Sequence, residues 1–243
     1  MRVALNGIVS ADEDVEIYQW FGMSAFGPQA VRQALADNPP GEELVFEINS
    51  PGGSVLAGSE MYSVLRSAQD VQTRAEIQSL AASAASYLSL GCDEVWMSPV
   101  AQLMIHLPST WTAGNRFDHM ESVQMLDTVR ESILNAYELK SAGRTSRDEF
   151  RKLMKNSTWM TAQETVDRGL ADGILYQNDP APQNLMNAIG GGVRALGESG
   201  GIPDIAYLRA EYRKQKADTG GVPAANNRAW QAKARLDLEK TRF

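Results

Sequence analysis

Leu80-Ala81-Ala82-Ser83-Ala84-Ala85-Ser86 sets a serine inside a run of small residues, where a strand pattern turns into a helix pattern. Small side chains let the backbone bend sharply there and leave the hydroxyl exposed. Further on, Leu103-Met104-Ile105-His106-Leu107-Pro108 puts one of only two histidines at the end of the next apolar strand. A hydroxyl at a tight turn and an imidazole on a neighbouring strand are the parts that nucleophilic acyl transfer needs. Upstream, Ile48-Asn49-Ser50-Pro51-Gly52-Gly53-Ser54 reads as a strand ending in a turn. Its glycines can aim backbone N–H groups at a developing oxyanion. In this order the three elements predict a serine peptidase.

The bulk properties agree with that reading. A chain of 243 residues with 43% hydrophobic content is long enough for one α/β domain plus an appendage. No apolar stretch is long enough to span a bilayer, and the opening Met1-Arg2-Val3-Ala4-Leu5 runs into a strand pattern rather than a signal peptide. The single Cys92 excludes an internal disulfide, fits a reducing cytoplasm, and reads as a small buried hydrophobe. A net charge of −7 argues against nucleic acid as a main partner. Residues 1–178 carry 13 Lys and Arg against 23 Asp and Glu, whereas residues 179–243 carry 10 against 7. That change of sign, with Asn178-Asp179-Pro180-Ala181-Pro182, sets the expected domain edge.

Along the chain, strands are expected at Val3–Val9, Glu43–Asn49, Val71–Ile77, Glu94–Met97 and Gln102–His106. Helices are expected at Pro28–Ala36, Ser54–Ala68 and from the serine turn to about Leu90. This alternation predicts an α/β fold built from crossover units. A long helix over Arg116–Ser141 follows from apolar residues three or four apart, from Phe117 to Tyr137. Ser146-Arg147-Asp148-Glu149 and Thr161-Ala162-Gln163-Glu164 each match a capping box. Beyond 178, glycine pairs and triplets punctuate two polar helical stretches, about 203–217 and 225–240, expected to pack poorly on the domain.

Each candidate has a plainer reading when taken alone. Serines among small residues usually permit close helix packing, and strand-end histidines are usually just satisfied. The three elements together are more specific, because all must agree on one reaction. His119, the other histidine, sits among Arg116, Asp118 and Glu121 and reads as part of a solvated helix face.

Residues 1–177 resemble the proteolytic subunit of the Clp protease family, and more closely the Clp-type head-maturation proteases of tailed phages. The resemblance rests on Ile48–Val55, Ala57-Gly58, Tyr62, Ala81–Ser86 and Met104-Ile105-His106. Trp159–Glu164 and Gly169-Leu170-Ala171-Asp172 complete it. It implies a crotonase-like fold of repeated ββα units, with Ser83 as nucleophile and His106 as general base. The N–H groups of Gly53 and Ala84 would form the oxyanion hole. Ser50, Pro51, Gly52 and Ser54 would line the cleft, with peptide bound as an added strand. No cofactor or metal is implied. The expected partners are a protein substrate, capsid or scaffold, and further copies of the chain in a ring. The expected setting is the host cytoplasm, within an assembling procapsid. The first strand opens the chain with no preceding axial-loop segment, which suggests independence of an ATPase.

One position departs from the family pattern. The family carries an aspartate two residues before an aromatic, but here Lys155-Asn156-Ser157-Thr158 precedes Trp159. Ser157, or alternatively Asn156, occupies the third catalytic position and brings no negative charge. A competing reading is therefore a degenerate Clp-like structural or assembly protein with weak or no activity. An acyl-CoA enzyme of the crotonase fold is a third, less favoured because such enzymes need no Ser–His pair.

Overall fold

A strand whose following helix carries the chain back to the starting edge pairs with the next strand in parallel. The structure, a computed structural model, describes residues 1–177 and 204–218 and shows that arrangement. In chain order it comprises β1 (Arg2–Val9), α1 (Asp12–Trp20), β2 (Ala25–Phe26), α2 (Pro28–Asp37), β3 (Leu44–Gly53) and α3 (Val55–Ser67). Next come β4 (Thr73–Ala82), α4 (Ala84–Ser89), β5 (Glu94–Met97) and β6 (Gln102–Ile105). The remainder is α5 (Arg116–Ser141), α6 (Arg147–Lys155), β7 (Thr158–Thr161), α7 (Ala162–Asp167), β8 (Gly173–Ile174) and α8 (Ile205–Asp218).

The sheet runs β2-β1-β3-β4-β5-β8, all parallel. It divides at β4. Residues Arg74–Ile77 pair with β5, whereas Leu80–Ala82 pair with β6, which carries the antiparallel β7 on its far side. Phe46, Ile48, Ile77, Leu88, Leu103 and Leu134 are buried in one core cluster with the helices, as expected for an α/β fold. Cys92 is buried in it, and desolvation pushes its thiol up to about 12, consistent with an inert core residue.

Two sequence expectations change. β3 continues through Pro51-Gly52-Gly53 instead of stopping at Asn49, because it bulges at Ser50-Pro51 opposite Gly7 of β1 and stays paired as far as Gly53. The helix Arg116–Ser141 has the expected bounds, and its first half stands clear of the body. Phe117, Met120 and Val123 are exposed, and burial begins only at Ile133. Of the two expected capping boxes, that at Thr161 is complete, while Ser146 supplies only the N-cap half.

The segment after 178 was expected to pack poorly, and α8 does not. Leu208 is fully buried against Ile8, Ile17 and Tyr18, and Tyr212 meets Trp20 edge-on at 5.1 Å. Arg209 donates to the buried Asp14 at 2.6 Å. An apolar stripe on a polar helix was enough to dock it, because α1 supplies the matching face and α1 was not expected from the sequence. The expected domain edge and the stretch 225–240 lie outside the described residues. Truncating Leu208 to Ala is expected to weaken docking by about 2–4 kcal/mol. Hydrogen exchange should then speed up across α8 but not across β3 or β4, and uniform protection would refute the docking.

Candidate active site

Ser83 follows β4 directly, and its backbone is in a rare conformation for a non-glycine residue, with φ 54° and ψ −123°. Such a turn costs of order 1–3 kcal/mol and survives only when its surroundings determine it. Here they do. Ala81, Ala82, Ala84 and Ala85 are all buried, so no larger side chain fits on either side of the bend. The Ser83 N–H donates to Met104 O at 2.9 Å, fastening the turn to β6.

That fastening also delivers the histidine. Ala82 stands beside Met104 in the parallel register, so the chain two residues later passes the serine. His106 Nε2 lies 2.7 Å from Ser83 Oγ. Burial lowers the His106 pKa below its ordinary value, which keeps the imidazole neutral and able to accept a proton at neutral pH. His119 lies on the exposed first turns of α5 and takes no part.

The glycine turn of β3 closes the other side. Gly52 has φ 93°, and a Cβ there would lie 2.6 Å from both Ala82 O and Ser83 Cβ and 2.9 Å from Ala84 N. Gly53 has φ 148°, and its Cβ would strike Val9 O at 2.1 Å. Both positions therefore require glycine, for space as well as for backbone angle. Ala84 is the first residue of α4, where a helix leaves its N–H groups without internal acceptors. The Gly52-Gly53 turn and Ala84 are thus on facing segments beside Ser83.

The expected cleft residues divide. Pro51 is exposed and Gly52 is packed on the serine turn. Ser50 is corrected: it is fully buried, and its Oγ accepts the Gly52 N–H at 3.1 Å, so it braces the turn and faces no cleft. The Ser54 side chain is likewise occupied, capping α3 by accepting the Ala57 N–H.

Around His106 the third position is open. Among the described residues, the hydrogen bond to Ser83 is the only one His106 makes, and no carboxylate is joined to it. Asn156 is an exposed C-cap of α6 and forms no bond to the imidazole. Ser157 forms none either, but it is better placed. Ile105 pairs with Thr158 in the β6–β7 ladder, so His106 and Ser157 flank the end of that ladder. Leu107 N–H donates to Met154 O, and Glu131 on α5 binds Arg147 and Arg151 of α6, holding this corner together. Those guanidinium groups draw the half-exposed Glu131 down to about 2.

Two residues beneath the serine turn carry no local sign of their contact. Ser86 was read only as part of the small-residue motif and Tyr137 only as an apolar position of α5. Their hydroxyls meet at 2.7 Å beneath the serine turn. A tyrosine among periodic apolar positions was the available signal, since a buried phenol needs a partner. Among the described residues no His, Cys, Asp and Glu cluster suited to a metal occurs, and no helix is long and apolar enough to cross a membrane.

A serine hydroxyl on a strained strand-to-helix turn, bonded to a neutral imidazole and faced by a glycine turn, is the arrangement of a serine hydrolase. Residues 29–178 match the sequence model of the family described as Clp protease, so this chain belongs to the Clp protease family, a family of serine peptidases. The ATP-dependent Clp protease proteolytic subunit 1 of Chlamydia abortus is 36% identical over 141 residues, covering 56% of this chain and 72% of that protein. Its counterpart in Chlamydia caviae is 35% identical over 144 residues, 58% of this chain and 74% of the relative. That of Protochlamydia amoebophila is 32% identical over 141 residues, 56% and 66%.

The lowered His106 pKa and the open third position give a prediction with a sign. In a His119→Gln background, NMR titration should place the His106 midpoint below the ordinary histidine value of about 6.5. Ser157→Asp should raise it, because a nearby carboxylate favours the charged imidazolium. Residue 157 has φ 48°, a conformation that aspartate tolerates well, so the fold should accept the change. A midpoint unmoved by Ser157→Asp would mean that position 157 does not face His106.

Proposed function

We propose that this chain is a serine endopeptidase in which Ser83 is the nucleophile and His106 the general base. The 2.7 Å contact between Ser83 Oγ and His106 Nε2 carries the reading. Ser83 Oγ attacks the scissile carbonyl while its proton passes to His106 Nε2. The negative charge on the carbonyl oxygen is met by the N–H groups of Gly53 and Ala84. His106 then gives the proton to the departing amine. Water, deprotonated by the same imidazole, releases the acyl group and restores the serine.

The open third position sets the rate. Replacing the triad carboxylate by an amide lowers kcat by about 10⁴ in a serine protease. From a typical value of about 10 s⁻¹, kcat falls to about 10⁻³ s⁻¹, or one cleavage in roughly a quarter of an hour. That is too slow for bulk degradation, and adequate for cutting neighbouring chains once at high local concentration. Together with the resemblance to phage head-maturation proteases, this supports capsid or scaffold protein as the substrate. The exposed Phe117, Met120 and Val123 on α5 support assembly with further copies of the chain, since such a patch is costly on an isolated monomer.

The same open position favours a second reading, an assembly protein whose activity is lost. A fluorophosphonate probe separates the two. Wild-type chain should be labelled at Ser83, Ser83→Ala and His106→Ala should not be, and His119→Ala should label normally. An unlabelled wild type would support the structural role. Ser157→Asp should raise kcat about 10-fold or more, and an unchanged rate in a folded variant would show that the missing charge is not what limits the enzyme.

A further inference from the structure

Ser83 contributes a backbone carbonyl as well as a hydroxyl, and that carbonyl is held from below. It accepts the Ser86 N–H at 3.0 Å and the Ser86 hydroxyl at 2.6 Å. Ser86 Oγ in turn lies 2.7 Å from the Tyr137 phenol of α5. Ser86 and Tyr137 are both fully buried, so no water competes for these bonds. A serine hydroxyl has one proton to donate. Since Ser86 gives its proton to the Ser83 carbonyl, the proton between Ser86 and Tyr137 comes from Tyr137. Burial pushes the phenol well above its usual range, so it stays protonated and keeps donating. The relay therefore has one direction, from Tyr137 O–H to Ser86 Oγ and from Ser86 O–H to the Ser83 carbonyl.

The Ser83 carbonyl and the Ala84 N–H belong to one peptide unit. That unit is trans, so the two groups point in opposite directions. Fixing the carbonyl toward Ser86 fixes the Ala84 N–H on the opposite side of the peptide, away from Ser86. Hydrogen bonds in a chain also polarise one another. Drawing electron density onto the carbonyl oxygen makes the N–H of the same unit a stronger donor. We propose that Ser86 and Tyr137 are positioning residues for the oxyanion hole, orienting and strengthening the Ala84 N–H through the Ser83–Ala84 peptide.

The inference rests on the assignment of Ser83 as nucleophile and Ala84 as oxyanion donor. A purely structural role is the alternative, since Tyr137 also packs on Phe150 with ring centroids 5.6 Å apart. The two roles differ in what they move. A packing role changes stability, whereas an oxyanion role changes the step in which charge develops.

The test uses the full chain with Tyr137→Phe, Ser86→Ala and both together. Tyr137→Phe keeps the ring and removes only the hydroxyl, so the core stays filled. The readouts are the maximal inactivation rate and half-saturating concentration of a fluorophosphonate, the inhibition constant of phenylboronic acid, and the melting temperature. Removing an oxyanion donor outright slows catalysis about 10²–10³-fold, and these variants keep the donor. Inactivation should slow about 3–10-fold in Tyr137→Phe and about 10–30-fold in Ser86→Ala, with the half-saturating concentration unchanged. The boronate constant should rise by the same factors, because its tetrahedral adduct uses the same hole. The double variant should be no worse than Ser86→Ala, since the two residues act in series. Unchanged rates with a lowered melting temperature, a rise in half-saturating concentration alone, or additive losses would overturn the relay. An unlabelled wild-type chain would overturn the nucleophile assignment and the relay with it. Normal wild-type labelling with unaltered variants would overturn the relay alone.

Discussion

The pairing of the last three residues of β4 with β6 is the constraint on which the rest of the site depends. β4 changes neighbours partway along, from β5 to β6, and the second ladder ends in the bond from Ser83 N–H to Met104 O. A shift of one residue in that register would carry His106 roughly 3.3 Å along the strand, beyond reach of Ser83 Oγ, and would turn the imidazole to the opposite face. Buried Leu103 and Ile105 prevent the shift, since slipping would expose both. The contact between Ser83 and His106 is thus fixed by hydrophobic burial in the sheet.

The same end of the sheet concentrates small residues. Gly52, Gly53, Ala82, Ala84 and Gly58 let three chain segments approach more closely than ordinary side chains allow, and a Cβ on Gly58 would meet Tyr87 Oη at 2.8 Å. Tyr87 donates to Val55 O at 2.9 Å, which ties α4 to the start of α3 and so to the glycine turn. Close approach, a strained serine and buried hydroxyl bonds support one another. None would persist alone.

Electrostatically the site is spare. Among the described residues His106 responds to burial and to no neighbouring charge, so a protonated imidazole there would have no counter-charge. This divides the candidate site into a part rich in contacts, the Ser83 turn and its buried hydroxyl bonds, and a part that is thin, the surroundings of the imidazole. Charge in this corner goes instead to fastening α6 on α5, through Glu131 and its arginines on the surface.

Much of the site was legible in the sequence because its determinants are local. Glycine at 52 and 53, alanines around Ser83 and an apolar strand ending at His106 each express a rule of backbone geometry that acts within a few residues. The alternation of strands and helices announced the parallel sheet for the same reason. What the sequence could not announce depends on partners far along the chain. Ser50 and Ser54 read as cleft residues until the fold showed their hydroxyls turned to backbone N–H groups. α8 read as too polar to dock until α1 supplied Asp14 and an apolar face nearly two hundred residues away. The first half of α5 and its second half share one apolar periodicity, yet only the second meets a core. Tyr137 reaches Ser86 across 51 residues, and nothing in either local pattern reports the other. Local conformation is set by neighbours in the chain. Which hydroxyl finds a partner, and which apolar face finds cover, is set by packing, and packing is decided only when the whole sheet has closed.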